Sequence, residues 1–415
     1  MTSKNPRVPN VPSDWSTVPI GEVADKIPGK KPNVVSDEPQ AGLKKYVTAE
    51  AYEGSITSYA DPETGNLCNS SDVVLVWDGS VGKVLSGVEG VLGSTMAALR
   101  FDEEMMDPRF AYFYLYEKQE LISSLAEGTT ILHLPRDFLE IFEIPRPPLS
   151  EQREIVRLLT DLEGVRNSTG TIRSETEELK RGTINRLLEN GVKDHDQKQV
   201  RIGPRMEKIP EEWDLRTVDE IAISGKAGLR GGPPGGKIKK EVRTTTGYKI
   251  YVQENIIERN FEKRSDYLPE EKYQDLKSAA AKPGDILITT EGSIGRAAVL
   301  PEKAEEGIVN NHLARLRVDT DQYHPEYIAE VIDSSDLVRS QIESLSNNSG
   351  RPGLNLKILK EFQIPVPNIE EQTDIIEVLG AYDSKVRSES KFLDAVSKLE
   401  EGVRGKIVTG EVRFK

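Results

Sequence analysis

The chain has 415 residues, 36% of them hydrophobic and 30% charged, with a net charge of −14. At about 100–200 residues per domain this allows two or three domains, with enough apolar content to build cores rather than a disordered chain. The sequence has no run of about 18 apolar residues, no apolar stretch at its start and a single cysteine, Cys68, so a transmembrane helix, a signal peptide, a disulfide framework and a multi-cysteine metal cage are all excluded as expectations.

The first pattern begins with WSTVPIGEVADKI at Trp15 and is followed by a basic stretch over 26–45 that contains Lys30, Lys31, Lys44 and Lys45. DVVLVWDGSVGKV, from Asp72, reads as a short strand entering a Gly-Ser turn that presents Ser80 and Lys83. Residues 108–125 read as an amphipathic helix behind a proline start, and 127–133 as a polar loop. IPRPPLSEQREIVRLL, from Ile144, opens a long helix. Pro147 and Pro148 bar helix upstream, Ser150 is placed to cap it, and Asn190-Gly191 ends it. Its residues Ile155, Leu158, Leu162, Val165, Ile172, Thr176 and Leu179 recur at 3-4 spacing, with Leu187 and Leu188 extending the apolar face, which predicts a coiled-coil seam rather than a broad globular face.

The pattern then begins again. WDLRTVDEIAISG at Trp213 leads into the basic stretch 224–243, where Lys226, Arg230, Lys237, Lys239, Lys240 and Arg243 stand against Glu241 alone. DILITTEGSIGRA, from Asp285, predicts a strand and a turn presenting Ser293 and Arg296. A second amphipathic helix is expected over 325–345, then the polar loop NNSGRPGLN over 347–355 with Asn348 and Arg351. IPVPNIEEQTDIIEVL, from Ile364, opens a second long helix whose seam comprises Ile375, Leu379, Tyr382, Val386, Leu393, Val396, Val403 and Ile407, with Phe392 and Leu399 flanking it.

The two long-helix segments match without a gap: Pro145/Pro365, Glu151/Glu371, Gln152/Gln372, Ile155/Ile375 and Leu179/Leu399 are all 220 positions apart. The preceding segments echo each other at offsets of 198, 213 and 217, so their loops differ in length. The unit is a variable segment of about 150 residues and a constant one of about 40, repeated once. The boundaries read as 1–147 and 193–367 for the variable domains, and 148–192 and 368–415 for the helices. The expected fold is α+β: two related domains joined by two long helices that bury their seams against each other as an antiparallel coiled coil. At 1.5 Å per residue that gives a spacer of roughly 60 Å.

No constellation for catalysis emerges. GGPPGGK at 231–237 fits the phosphate-loop spacing only superficially: Ile238 follows where a magnesium-binding hydroxyl belongs, and two prolines remove backbone donors. No glycine-rich S-adenosylmethionine loop or Asn-Pro-Pro-Tyr motif occurs, and the four histidines lie far apart. The chain reads as a metal-free, cytoplasmic binding protein rather than an enzyme. Basic residues on Gly-rich loops suit DNA phosphates, and the arginine and amides of the 347–355 loop suit base edges. A duplicated protein-interaction scaffold is the alternative.

The W-led start, the DILITTEGSIGRAAV strand and turn, the NNSGRPGLN loop and the IP-x-P-x-x-EQ-x-x-I helix start resemble the specificity subunit of type I restriction-modification enzymes, over nearly the whole chain and more closely in the second copy. The resemblance implies two target-recognition domains, each reading half of a split site in double-stranded DNA. It also implies helices that act as spacer and as docking surface for two methyltransferase subunits. S-adenosylmethionine, ATP and magnesium would then be handled by the methyltransferase and restriction subunits, with no cofactor in this chain and no membrane partner.

Overall fold

In a computed structural model, which describes residues 11–413 apart from 55, 130, 194, 264–265 and 347–352, the duplication is carried by the main sheets of both copies. The chain divides into two compact units, residues 1–170 with 391–415, and residues 171–390. Each unit holds one end of both long helices.

In the first unit a four-stranded antiparallel sheet runs in the order Ala24–Pro28, Met96–Phe101, Val73–Val76, Val84–Leu85. The second unit repeats it as Leu229–Gly231, Leu313–Leu316, Ile286–Thr289, Ala297–Val299. The strands Val73–Val76 and Ile286–Thr289 are buried along their whole length, so they read as continuous apolar runs rather than as an alternation. A second sheet in each unit is built on a parallel pair, Lys44–Val47 with Gly90–Leu92 and Tyr248–Tyr251 with Gly307–Val309. Gly90 and Gly307 are demanded by that pairing, since a Cβ on either would strike the carbonyl oxygen of Lys45 or Lys249. The helices expected over 108–125 and 325–345 are each broken in two, into Pro108–Glu117 and Gln119–Ser124, and into Pro325–Ser334 and Asp336–Ser346. The second unit adds a hairpin, Gln197–Ile202 with Arg205–Pro210.

The Glu-Gln pair at each helix start explains why the motif recurs. The strand Ser16–Pro19 pairs with Glu143–Arg146, and Asp214–Thr217 with Gln363–Val366, which brings each leading tryptophan to the helix. Trp15 Nε1 donates to Glu151 Oε2 at 3.1 Å, and Trp213 Nε1 to Glu371 Oε2 at 3.0 Å. Gln152 and Gln372 are fully buried. Gln152 Oε1 accepts the Asp107 amide and Gln372 Oε1 the His324 amide, each at 2.7 Å, while each Nε2 donates to the carbonyl of the proline five residues earlier. Asp107 and His324 precede the helices Pro108–Glu117 and Pro325–Ser334, so one glutamine ties the long helix, its proline turn and the domain helix together. A third matched pair, Asp72–Arg100 and Asp285–Arg317, is bidentate in both copies, with each aspartate buried against the sheet.

The long helices span Leu149–Asn190 (42 residues) and Ile369–Ile407 (39 residues). Helix starts one residue before Ser150, so the expected serine cap is not made; in the second helix Asn368 Oδ1 caps the Glu371 amide at 2.9 Å. Gly191 and Gly410 end the helices in the left-handed conformation, at φ 72° and 77°. Within each unit the two helices run antiparallel. In the first, Ile155 and Leu159 share a core with Ile407 and Val408, and Arg166 pairs with Glu400 at 3.0 Å. In the second, Ile184 and Leu188 share a core with Ile375 and Leu379, and Lys180 pairs with Asp383 at 2.8 Å.

The expected seam needs correction at Val165, Ile172, Leu179 and Leu399. Ile155, Ile375, Leu379 and Val396 are buried and Leu162 is half-buried, but Leu179 and Leu399 are 63% and 53% exposed. The second-helix seam follows the heptad through 375, 379, 382, 386, 389, 393, 396, 400, 403 and 407, all buried or half-buried. Subtracting the 220-residue offset gives 155, 159, 162, 166, 169, 173, 176, 180, 183 and 187, where only Arg173 is exposed. The central positions of that row are Thr169, Thr176 and Lys180, all buried. In the more apolar row, Leu158 packs against the first unit's core, while Val165, Ile172 and Leu179 face outward. Thr169 and Thr176 satisfy their hydroxyls on the carbonyls of Val165 and Ile172, at 2.8 and 2.7 Å, which makes a buried threonine tolerable there.

Candidate nucleic-acid interface

Both basic loops leave the sheet at a glycine that nothing else can replace. Gly29 donates to Met96 O at 2.7 Å and Gly232 to Leu313 O at 3.0 Å, and a Cβ on either would collide with the carbonyl of Gly93 or Asn310. Beyond Gly29 come Lys30 and Lys31. Lys44 and Lys45 stand at the far end of that loop, on the strand Lys44–Val47, and all four are exposed. Beyond Gly232, Lys237, Lys239 and Lys240 are exposed on two short helical turns, Gly235–Lys237 and Lys240–Val242. None of these seven lysines forms an ion pair among the described residues, so their charges face solvent. Lys226 lies in a short turn, Gly225–Ala227, just before the strand Leu229–Gly231, and Arg230 is half-buried on that strand, with Nη2 donating to Ser278 Oγ at 3.5 Å.

The Gly-Ser turns occupy equivalent places with different outcomes. In the first unit Gly79 to Lys83 forms one wall of a cleft opposite Gln119, Ser123 and Leu132; Ser80 is exposed, and Lys83 Nζ lies 4.9 Å above the Tyr52 ring. In the second unit Ser293 is exposed, but Arg296 Nε donates to the buried Asp333 at 2.7 Å. Burial pushes the Asp333 carboxyl up, and the Arg296 and Arg259 guanidinium groups outweigh it, leaving the group below its ordinary value. Arg243 likewise closes its own loop, donating to Asp266 at 2.6 Å and to Ile238 O at 3.1 Å. Arg243 and Arg296 thus also hold the domain together, because a buried or half-buried carboxylate needs their guanidinium groups there. Asn348 and Arg351 lie outside the described residues.

The second unit brings the start of the basic loop, the Glu-Gly-Ser turn and the end of the NNSGRPGLN loop onto one cleft of about 450 Å³, lined by Gly231, Gly232, Thr290, Glu291, Asn311 and Gly353 to Leu356. The loop is pinned by Leu354 N–H donating to Thr290 O at 2.7 Å. Its shorter counterpart is pinned in the same way, Leu134 N–H to Trp77 O at 3.0 Å, so Leu134 and Leu354, at the ends of the two loops, are held by equivalent bonds in the two copies. Residues the sequence reading missed complete this cleft. His312 Nδ1 lies 2.7 Å from Glu291 Oε2, Asn311 Nδ2 lies 3.1 Å from His312 Nε2, and Gln253 Nε2 donates to Glu291 O. Their one signal was position, since Asn310-Asn311-His312 stands where the first copy has Gly93-Ser94-Thr95. Among the described residues no group of three or more His, Cys, Asp or Glu is placed to hold a metal, and no helix is long and apolar enough to cross a membrane.

The fold and its loops define a duplicated recognition protein, two α+β domains carried on a pair of long antiparallel-packing helices. The chain belongs to the type I restriction modification DNA specificity domain family, whose sequence profile matches residues 12–179 and 210–398. It is 27% identical over 419 residues to the type I restriction enzyme MjaVIII specificity subunit of Methanocaldococcus jannaschii, covering 98% of this chain and 94% of that one. To the EcoBI specificity subunit of Escherichia coli it is 26% identical over 379 residues, covering 88% and 77%. The fold is shared with the type I restriction-modification S subunit from M. genitalium at 18% identity, with a TM-score of 0.57 over 96% of both chains. It is also shared, at 18% identity and a TM-score of 0.54, with a chain from a structural study of complex assembly and conformational transition in a type I system, covering 97% of this chain and all of that one.

Proposed function

We propose that this protein is the non-catalytic DNA-recognition subunit of a cytoplasmic type I restriction-modification complex. Each domain reads one half of a bipartite site in double-stranded DNA, and the long helices hold two methyltransferase subunits on it for adenine methylation, with restriction subunits joining the same assembly. S-adenosylmethionine, ATP and magnesium are used by those partners. The observation that carries this reading is the convergence of a basic loop, a polar turn and a second loop on one cleft of the second unit. That arrangement supplies phosphate-positioning charge next to groups able to read bases.

Partner docking is supported by a separate feature. Ile172 and Leu179 on the first long helix, and Phe392 and Leu399 on the second, are exposed apolar residues at repeat-equivalent positions, one heptad apart on each helix. Two equivalent apolar strips suit two copies of one partner. The test is salt-dependent binding of duplex DNA by the chain assembled with its methyltransferase subunits. Affinity is expected to fall linearly in a log–log plot against salt, and binding that ignores salt overturns the reading. L179S/L399S is expected to weaken methyltransferase association while leaving the chain's own melting unchanged; full association would move the docking surface elsewhere.

A further inference from the structure

We propose that the turns at 93–95 and 310–312 are the base-reading elements of the two domains, and that Asn311, backed by His312 and Glu291, reads base edges of the second half-site. This rests on the DNA-recognition reading above and names the residues that give it specificity.

The two turns share one backbone. Met96 N–H donates to Gly93 O at 2.9 Å and Leu313 N–H to Asn310 O at 3.1 Å. Trp77 N–H donates to Thr95 O at 2.8 Å and Thr290 N–H to His312 O at 2.9 Å. Each turn leads into the central strand of its sheet and faces an acidic residue, Asp78 or Glu291, at the end of the neighbouring strand. The structural pairs around them are the same in both copies, aspartate with arginine and glutamine with proline carbonyl. The turns exchange short hydroxyls, Ser94 and Thr95, for a carboxamide and an imidazole. On one shared backbone the two turns thus offer different hydrogen-bonding groups, as readers of two different half-sites would.

The second turn is also held ready for its task. The His312 imidazole bridges Glu291 Oε2 and Asn311 Nδ2, and the Asn310 side chain accepts the His312 amide at 3.1 Å, so the carboxamide is oriented before any ligand arrives. Gly235 of the basic loop lies beside it, a Cβ there meeting Asn311 Oδ1 at 3.4 Å. A phosphate held by Lys237 or its neighbours would thus bring a base to the turn. A carboxamide pairs in bidentate fashion with adenine, and a carboxylate accepts from cytosine.

The experiment uses the assembled methyltransferase complex and a randomised duplex DNA library, read by sequencing the bound and the methylated molecules. N311S/H312T installs the first copy's residues on the same backbone, and N311D is the minimal, nearly isosteric change. Both are expected to alter base preference at one or two positions of one half-site, by about tenfold or more each, and to leave the other half-site as it was. The reciprocal S94N/T95H is expected to alter only that other half-site. Unchanged preferences in N311D and S94N/T95H, or changes in both half-sites at once, overturn the proposal. A wild-type complex without any sequence preference would instead sink the DNA-recognition reading beneath it.

Discussion

The two units are built alike at the domain and opposite at the helices. Lys180 and Glu400 occupy the same position of the repeat, both deep in the helix seam, with opposite charge. Lys180 meets Glu330 at 2.6 Å and Asp383 at 2.8 Å; Glu400 meets Arg166 at 3.0 Å and Arg404 at 3.3 Å. The neighbours have changed with them. Arg166 and Arg404 of the first unit correspond to Val386 and Ile184 in the second, and Glu330 corresponds to Phe113. The domain scaffold tolerates duplication because its polar staples act within one copy. The helix seam gives each unit a private charge set, so the half-helices of one unit are poor partners for their own equivalents.

The largest expected effect breaks that seam. Lys180→Met removes one of the two cations on Glu330 and Asp383, leaving Arg259 at 3.2 and 3.7 Å, and is expected to destabilise the second unit by about 2–3 kcal/mol, read by urea unfolding. The exchange K180E/E400K should not recover the loss, because the surrounding charges stay where they were. Recovery would mean that the inversion does not set the pairing.

Next come the staples, where the comparison predicts equality. Gln152→Ala and Gln372→Ala should each cost about 1–3 kcal/mol, since each strands buried backbone groups. Hydrogen exchange should rise at the start of Pro108–Glu117 in one variant and of Pro325–Ser334 in the other. A pronounced difference between the two would show that the copies are not energetically equivalent.

Acid sharpens a smaller contrast. The lowered pKa of Asp333 means that it contributes stability above its ordinary value of 3.8, and that this contribution is lost as pH falls through the lower native value. The equivalent position of the first unit is Tyr116, so only the second unit should show this loss in hydrogen exchange below pH 4. Asp333→Asn should lower stability at neutral pH and flatten the acid limb. An unaltered acid limb would assign the loss to other carboxylates.

The smallest effect concerns the loops. Replacing Lys237, Lys239 and Lys240 by Ala should weaken DNA binding by the complex alike for all sequences and flatten the salt slope by about 0.9 per lost phosphate contact. The corresponding change at Lys30 and Lys31 should do the same to a lesser degree, two charges being removed rather than three.

The duplication, the α+β domains, both long helices and the polar loops were legible in the sequence, because these follow from local signals: apolar strand runs, prolines before helices, glycines after them, and an offset of 220 that needs no gap. Only the tertiary structure decided which heptad row became the seam. On the first helix two rows with seven-residue period lie side by side, and the more apolar one faces outward from Val165 to Leu179. The other carries Thr169, Thr176 and Lys180 inward, because Lys180 finds Glu330 and Asp383, 150 and 203 residues away in the chain. The same kind of long-range pairing tied Arg296 to Asp333, and assembled Glu291, Asn311 and His312 from two different strand ends. Hydrophobic periodicity reports what a residue would bury alone; a buried charge depends on partners that only folding brings near.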